Sequence, residues 1–159
     1  MNAKNYLTIG VFSLFFLASC GGGEKASSDT KAPAQSMVPK ADEYDPSRGE
    51  GKFDESNVTL GPLNEQMAKN GEAVSTTKCF SCHKITDEKL VGPGWAGVTE
   101  RRTAHWIMNF ITNPDPMIDK DPEVQAQLEL CLVRMPNQNL QEQEARDILE
   151  YMRQVDGVK

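Results

Sequence analysis

The sequence predicts an all-α domain over residues 58–159, carried behind an N-terminal extension with no domain of its own. Three observations point there. Apolar residues recur three and four apart in several segments. Turns rich in Gly, Pro and Asn separate those segments. No run alternates apolar and polar residues as a half-buried strand does.

The helices follow in order. The first is predicted over about 63–77. A second begins after Thr103, a side chain suited to an N-cap, and carries Trp106, Ile107, Phe110 and Ile111 at helical spacing. Asn113-Pro114 stops it, because the residue before a proline is pushed out of helical geometry. Asp121-Pro122 opens the next, as N-cap and first helical residue. Val124, Leu128, Cys131 and Leu132 then share one face. The last helix is predicted over about 141–155, with a stripe of Ala145, Ile148, Leu149 and Met152, and Gly157 as its stop.

The 159 residues ahead of and within this domain carry a net charge of -6. With no basic patch to neutralise phosphates, nucleic-acid binding is not expected. Two histidines, His83 and His105, are too few for most multi-histidine metal sites.

The extension divides in two. Lys4 precedes an apolar run over 6–18, short of the roughly 20 residues that span a bilayer as a helix. Residues 1–19 have the form of a secretory signal. The run ends in Leu17-Ala18-Ser19-Cys20, which resembles the bacterial lipobox, whose cysteine is lipidated and becomes the mature N-terminus. Acyl chains contribute about 0.8 kcal/mol per buried methylene, so several of them anchor a protein stably. Residues 20–57 then read as a lipidated Cys20 and a flexible linker, too rich in Gly, Ser, Pro and charge to bury a core. Tyr44, Phe53 and Leu60 offer apolar groups that could pin the end of this stretch onto the domain, and the sequence leaves that open.

The chemistry is concentrated at Cys79-Phe80-Ser81-Cys82-His83. C-x-x-C-H is the attachment signature of c-type haem. Two thiols at this spacing reach the two vinyl groups of one porphyrin, and the adjacent imidazole is placed under the iron. Thiol–disulfide oxidoreductases also carry such a motif, but at a helix start after a strand, whereas the approach here is helical and polar. A zinc site would need the distant His105, and His83 sits too close to Cys82 for the usual ligand spacing. Cys131, the odd cysteine, is expected to pack as a small hydrophobe.

With this motif, residues 64–159 resemble the class I cytochrome c family. Gly71 stands where the family keeps a small residue at the crossing of the first and last helices. Val91-Gly92-Pro93-Gly94-Trp95-Ala96-Gly97 resembles the family's Pro-containing turn, and Ile148-Leu149-Glu150-Tyr151-Met152 its last-helix pattern. Ser75 departs from the aromatic usual four residues before the first motif cysteine. The resemblance implies a class I cytochrome c fold of about four to five helices around one covalently attached haem c. Cys79 and Cys82 would form the thioethers. His83 would be one axial ligand, its ring fixed by the carbonyl of Pro93. Met135, followed by Pro136 and lying 52 residues beyond His83, would be the other, with Met117 as its rival. Trp106 would donate its indole N–H to a haem propionate or to another nearby acceptor, and Arg101 and Arg102 offer cations for the propionates.

The function implied is an electron carrier rather than an enzyme, lipid-anchored through Cys20 in the bacterial periplasm. Its donor would come from the respiratory chain, and its acceptor would be a periplasmic reductase or a terminal oxidase. The lipobox, the Gly-rich linker, TLGPLNEQMA and NPDPMIDKDP…MPNQNL resemble lipoprotein cytochromes that accompany bacterial nitrous-oxide reductases. The other reading is a haem-based sensor or catalyst that binds NO or peroxide at an open iron position. From Phe53 onward 11 Lys and Arg face 17 Asp and Glu, so at least one partner is expected to offer a basic patch.

Overall fold

The computed structural model describes residues 44–159; the expected signal, Cys20 and the first part of the linker lie outside the described residues. Six helices are present among them, with no strand: α1 (Glu65–Lys78), α2 (Val98–Arg101), α3 (Ala104–Thr112), α4 (Pro114–Lys120), α5 (Pro122–Cys131) and α6 (Glu142–Val155).

Helices α1 and α6 cross to form the base of the fold. Asn64 caps α1 by accepting the Met67 N–H at 3.0 Å. The Glu144 carboxylate accepts the Gln141 N–H at 2.8 Å and so caps α6. At the crossing, a Cβ on Gly71 would lie 2.0 Å from the Asp147 carbonyl oxygen, so no larger residue fits. The predicted stripe of Ala145, Ile148, Leu149 and Met152 is buried as expected. Arg153 and Glu150 form a buried pair at 2.6 Å. Their remaining polar capacity goes to the lead-in of α1, through Gly61 O at 2.7 Å and the Asn64 N–H at 3.0 Å. Each partner's charge is thus compensated, as burial requires.

Helix α3 starts where expected, with the Thr103 hydroxyl accepting the Trp106 N–H. Asn113-Pro114 does end it, yet the same dipeptide starts α4, because a proline needs no N–H at the first helical position. Asp121 caps α5 with bonds to the Glu123 and Val124 amides. Leu132 departs from the expected apolar face. It adopts φ +59°, ends α5 and is 84% exposed. The short α2 was not legible in the sequence. It is docked by Asp156, which accepts from the Gly97 and Thr99 amides at 2.6 and 2.9 Å.

Residues 44–58 form a strap laid across α3 and α4. Phe53 is 1% exposed, and Val58 is buried with it. Asn109 holds the strap as a backbone would: its Oδ1 accepts the Phe53 N–H, and its Nδ2 donates to the Phe53 and Arg48 carbonyls. Gly49 has φ +74°, and a Cβ there would strike the Met117 side chain at 2.5 Å. The packed part of the chain therefore begins before the linker boundary drawn from composition. Of the three side chains that could pin this stretch, Phe53 and Tyr44 do so, received by Asn109 and Asp121, while Leu60 stays exposed. Burying Phe53 is worth about 1.5–3 kcal/mol.

Candidate functional site

Helix α1 ends into the motif. The Cys79 and Phe80 amides both donate to Ser75 O, at 2.8 and 3.0 Å. The Cys82 and His83 amides then both donate to Cys79 O at 3.0 Å, so the chain turns tightly and sets both thiols and the imidazole along one cavity. The next loop folds back on this turn, with the Val91 and Gly92 amides donating to Cys82 O.

His83 is fixed from behind. Its Nδ1 lies 2.8 Å from Pro93 O. A carbonyl only accepts, so Nδ1 carries the proton and Nε2 keeps its lone pair. Burial pushes the imidazole pKa down against the opposing pull of the Pro93 carbonyl, which favours the neutral, ligating form. Gly92 permits the ring: a Cβ there would meet His83 Cε1 at 2.5 Å. Trp95 stands behind the ring, with centroids 5.9 Å apart. It meets Phe80 edge-on at 5.5 Å and Tyr151 at 6.5 Å. The sequence shows Trp95 only as a residue of the Pro-containing turn and does not disclose this cluster; an aromatic inside a Gly/Pro turn is the signal that points to it.

The cavity has a volume of about 350 Å³. Cys79, Cys82, His83 and Pro93 line one wall; Ile107, Leu128 and Met135 belong to the others. Met135 sits in the loop between α5 and α6. Its neighbour Arg134 is bound to Asp115 and Asp119 of α4, at 2.9 Å each, which pins that loop at the cavity mouth. Met117 is not in the cavity. It is fully buried against Gly49. Burial pushes the Cys79 thiol pKa up, with Ser75 and Lys78 opposing, so the sulfur rests as a thiol. The Ser75 hydroxyl faces it without forming a hydrogen bond of ordinary geometry.

Trp106 lines the cavity with its ring, but its indole N–H is taken by Asp121 Oδ2 at 3.0 Å. Of the two expected uses of that N–H, the one with an acceptor in the protein is the one present; the reason is the buried N-cap carboxylate 15 residues away. Arg101 and Arg102 also line the cavity, although Arg101 donates to Ala96 O and Arg102 pairs with Glu123. Cys131 is half-buried in the cavity wall rather than in the core.

The donor set suits covalent haem. Two thiols, a neutral imidazole with a free Nε2 and a thioether all face one largely apolar cavity. Among the described residues no three His, Cys, Asp or Glu side chains are grouped to hold a metal ion directly, which disfavours a structural zinc site. No strand is present there to support a thioredoxin-like reading.

Comparisons with known proteins agree. The family described as cytochrome c matches residues 68–156. A cytochrome c-553-like protein of Synechocystis is 31% identical over 65 residues, and the match spans 38% of this chain and 62% of that relative. The solved cytochrome c from Rhodothermus marinus superposes with a TM-score of 0.62 at 36% identity, covering 67% of this chain and 90% of that one. An engineered form of the Rhodothermus protein bound to a carbene intermediate superposes at 0.59, with the same identity and coverage.

Proposed function

The chain belongs to the cytochrome c family, a haem-based electron carrier with one covalently attached haem c, and from that premise we propose the residues that hold the haem and the setting in which it works. Cys79 and Cys82 would hold the haem as thioethers, and His83 and Met135 would supply the nitrogen and sulfur ligands to its iron. The supporting observation is that these four side chains line one cavity while the Pro93 carbonyl fixes the imidazole. When bound, the haem supplies a one-electron ferric/ferrous couple.

The chain's own residues do the rest. Pro93 holds the Nδ1 proton, which orients His83 and raises its basicity as a ligand. The Phe80–Trp95–Tyr151 cluster blocks water and rotation behind the ring. Ile107, Ile111 and Leu128 keep the other walls dry. A Met135 thioether as second ligand would favour the ferrous state relative to a second imidazole and would suit electron transfer over ligand binding.

Cytochrome c domains work outside the cytoplasm with protein redox partners, and no helix among the described residues is long and apolar enough to cross a membrane. We propose that Cys20 is lipidated and tethers the domain to a membrane facing the periplasm. A respiratory-chain donor reduces it, and a terminal reductase, of which a nitrous-oxide reductase is one candidate, or a terminal oxidase reoxidises it. The acidic balance from Phe53 onward supports a partner with a basic face.

Spectra of the haem-matured protein and of Met135→Ala test the site. The expected wild type is low-spin with a far-red sulfur-to-iron band, and the variant lacks that band. A wild type that is high-spin, or whose ferrous form takes up CO at neutral pH, would replace the carrier with a gas- or peroxide-handling protein.

A further inference from the structure

One carboxylate beside the cavity is not used by the proposed mechanism. Asp121 is 1% exposed. Its Oδ1 accepts the Glu123 and Val124 amides at 2.9 and 3.1 Å. Its Oδ2 accepts the Trp106 indole N–H at 3.0 Å and the Tyr44 hydroxyl of the strap. Four donors on two oxygens keep the group ionised inside the protein, although burial pushes the other way. Trp106 and Val124, which touch this carboxylate, line the cavity themselves. A cation on this side of the cavity is Arg102, whose guanidinium lies 4.3 Å over the Trp106 ring. Arg102 is paired with Glu123 at 2.5 Å and the neighbouring Lys120 with Glu50 at 2.9 Å, and among the described residues Asp121 itself forms no ion pair.

We propose that Asp121, locked by Tyr44 and Trp106, is a built-in negative charge that lowers the reduction potential of the haem. The inference rests on the haem occupying the cavity as proposed above. The ferric iron carries one more positive charge than the ferrous. A fixed negative charge one indole ring from the cavity therefore favours the ferric form, and the low-dielectric interior strengthens the effect. Tyr44 modulates it. Its hydroxyl draws electron density from Oδ2, so the strap, a segment outside the haem-binding motif, adjusts the field felt at the iron.

The test is the midpoint potential of the haem-loaded protein, measured by spectroelectrochemistry at fixed pH and ionic strength, for wild type, Asp121→Asn and Tyr44→Phe. Asparagine caps a helix as well as aspartate, so the first variant removes charge and keeps the cap of α5. Its expected shift is upward, by about tenfold in the redox equilibrium, which is about 59 mV for one electron. Tyr44→Phe removes a donor and keeps the charge, so its expected shift is smaller and downward. Opposite signs are the signature. Loosening that merely let water into the cavity would move both variants the same way, and that result would overturn the proposal, as would unmoved potentials. If Asp121→Asn fails to mature, Tyr44→Phe alone decides: no downward shift sinks the idea. The haem spectrum of each protein is recorded alongside. A wild type without covalent haem overturns the site reading first, whereas intact low-spin spectra with unmoved potentials overturn only the role of Asp121.

Discussion

The wall that carries His83 is built from one stretch, residues 79–97, whereas the other walls gather residues as far apart in sequence as Trp106 and Met135 and are braced from outside by Tyr44. On the first, backbone amides of Val91 and Gly92 return to Cys82 O, and Trp95 N–H returns to Lys84 O at 2.9 Å. On the others, side chains make the links: Asn109 to the strap, Asp121 to Tyr44 and Trp106, and Arg134 to α4. A ligand that must stay put is held by local backbone. Met135, the other proposed ligand, lies in a loop tied down by a side chain, Arg134.

The strongest way to break this contrast is at the strap. Phe53→Ala is expected to lower stability by about 3–5 kcal/mol, the cost of emptying a fully buried aromatic site. Denaturant unfolding of the haem-loaded variant measures it. A loss within 0.5 kcal/mol would return residues 44–58 to the status of a linker.

Gly92→Ala attacks the local wall. The added Cβ meets the imidazole, so either the ring or the loop shifts, at about 1–3 kcal/mol. The expected outcome is a perturbed His83 signal in the paramagnetic NMR spectrum and weakened low-spin character. An unchanged spectrum would show that the loop yields more easily than its backbone bonds suggest.

Asp121 sharpens the comparison through pH. Burial raises its carboxyl pKa, but bonds from Tyr44, Trp106 and the two cap amides outweigh this and hold it below the ordinary 3.8. A carboxylate depressed on folding stabilises the protein above its unfolded pKa, and that gain is lost as pH falls through the folded value. Wild type is therefore expected to lose stability below about pH 3.8 more steeply than Asp121→Asn does. Parallel acid-unfolding curves would show that the far wall does not depend on this charge.

The smallest effect is expected at Arg134. Its two ion pairs are exposed, and such pairs are worth about 0–1 kcal/mol. Arg134→Gln should leave the melting temperature within a few degrees, yet weaken the sulfur-to-iron band as temperature rises. A band as robust as in wild type would mean that Met135 is held by packing alone.

The same contrast explains what the sequence disclosed. The caps at Thr103 and Asp121 are local signals, readable within a few residues, and the structure has both in place; Gly71 and the Pro93 turn are legible only through the family resemblance, and the structure puts Gly71 against Asp147 and the Pro93 carbonyl against His83. What stayed hidden depends on partners far along the chain. Phe53 packs where Asn109 receives it, 56 residues on. The Trp106 N–H meets Asp121 only because α3 and α5 are brought side by side. Met135 owes its position to an arginine whose partners lie 15 and 19 residues earlier. Asn113-Pro114 is both an end and a beginning, since one dipeptide satisfies both rules. Spacing alone puts Leu132 on an apolar face, but α5 ends at Cys131.

The two tryptophans of the chain, Trp95 and Trp106, both line the cavity, one behind His83 and one on the far wall. Haem absorbs where indole emits, so the folded, loaded protein is a dark fluorophore pair that brightens when either wall opens. Trp95→Phe leaves only the far wall visible and Trp106→Phe only the near one. A fluorimeter then times the opening of each wall separately, with no label added to the protein.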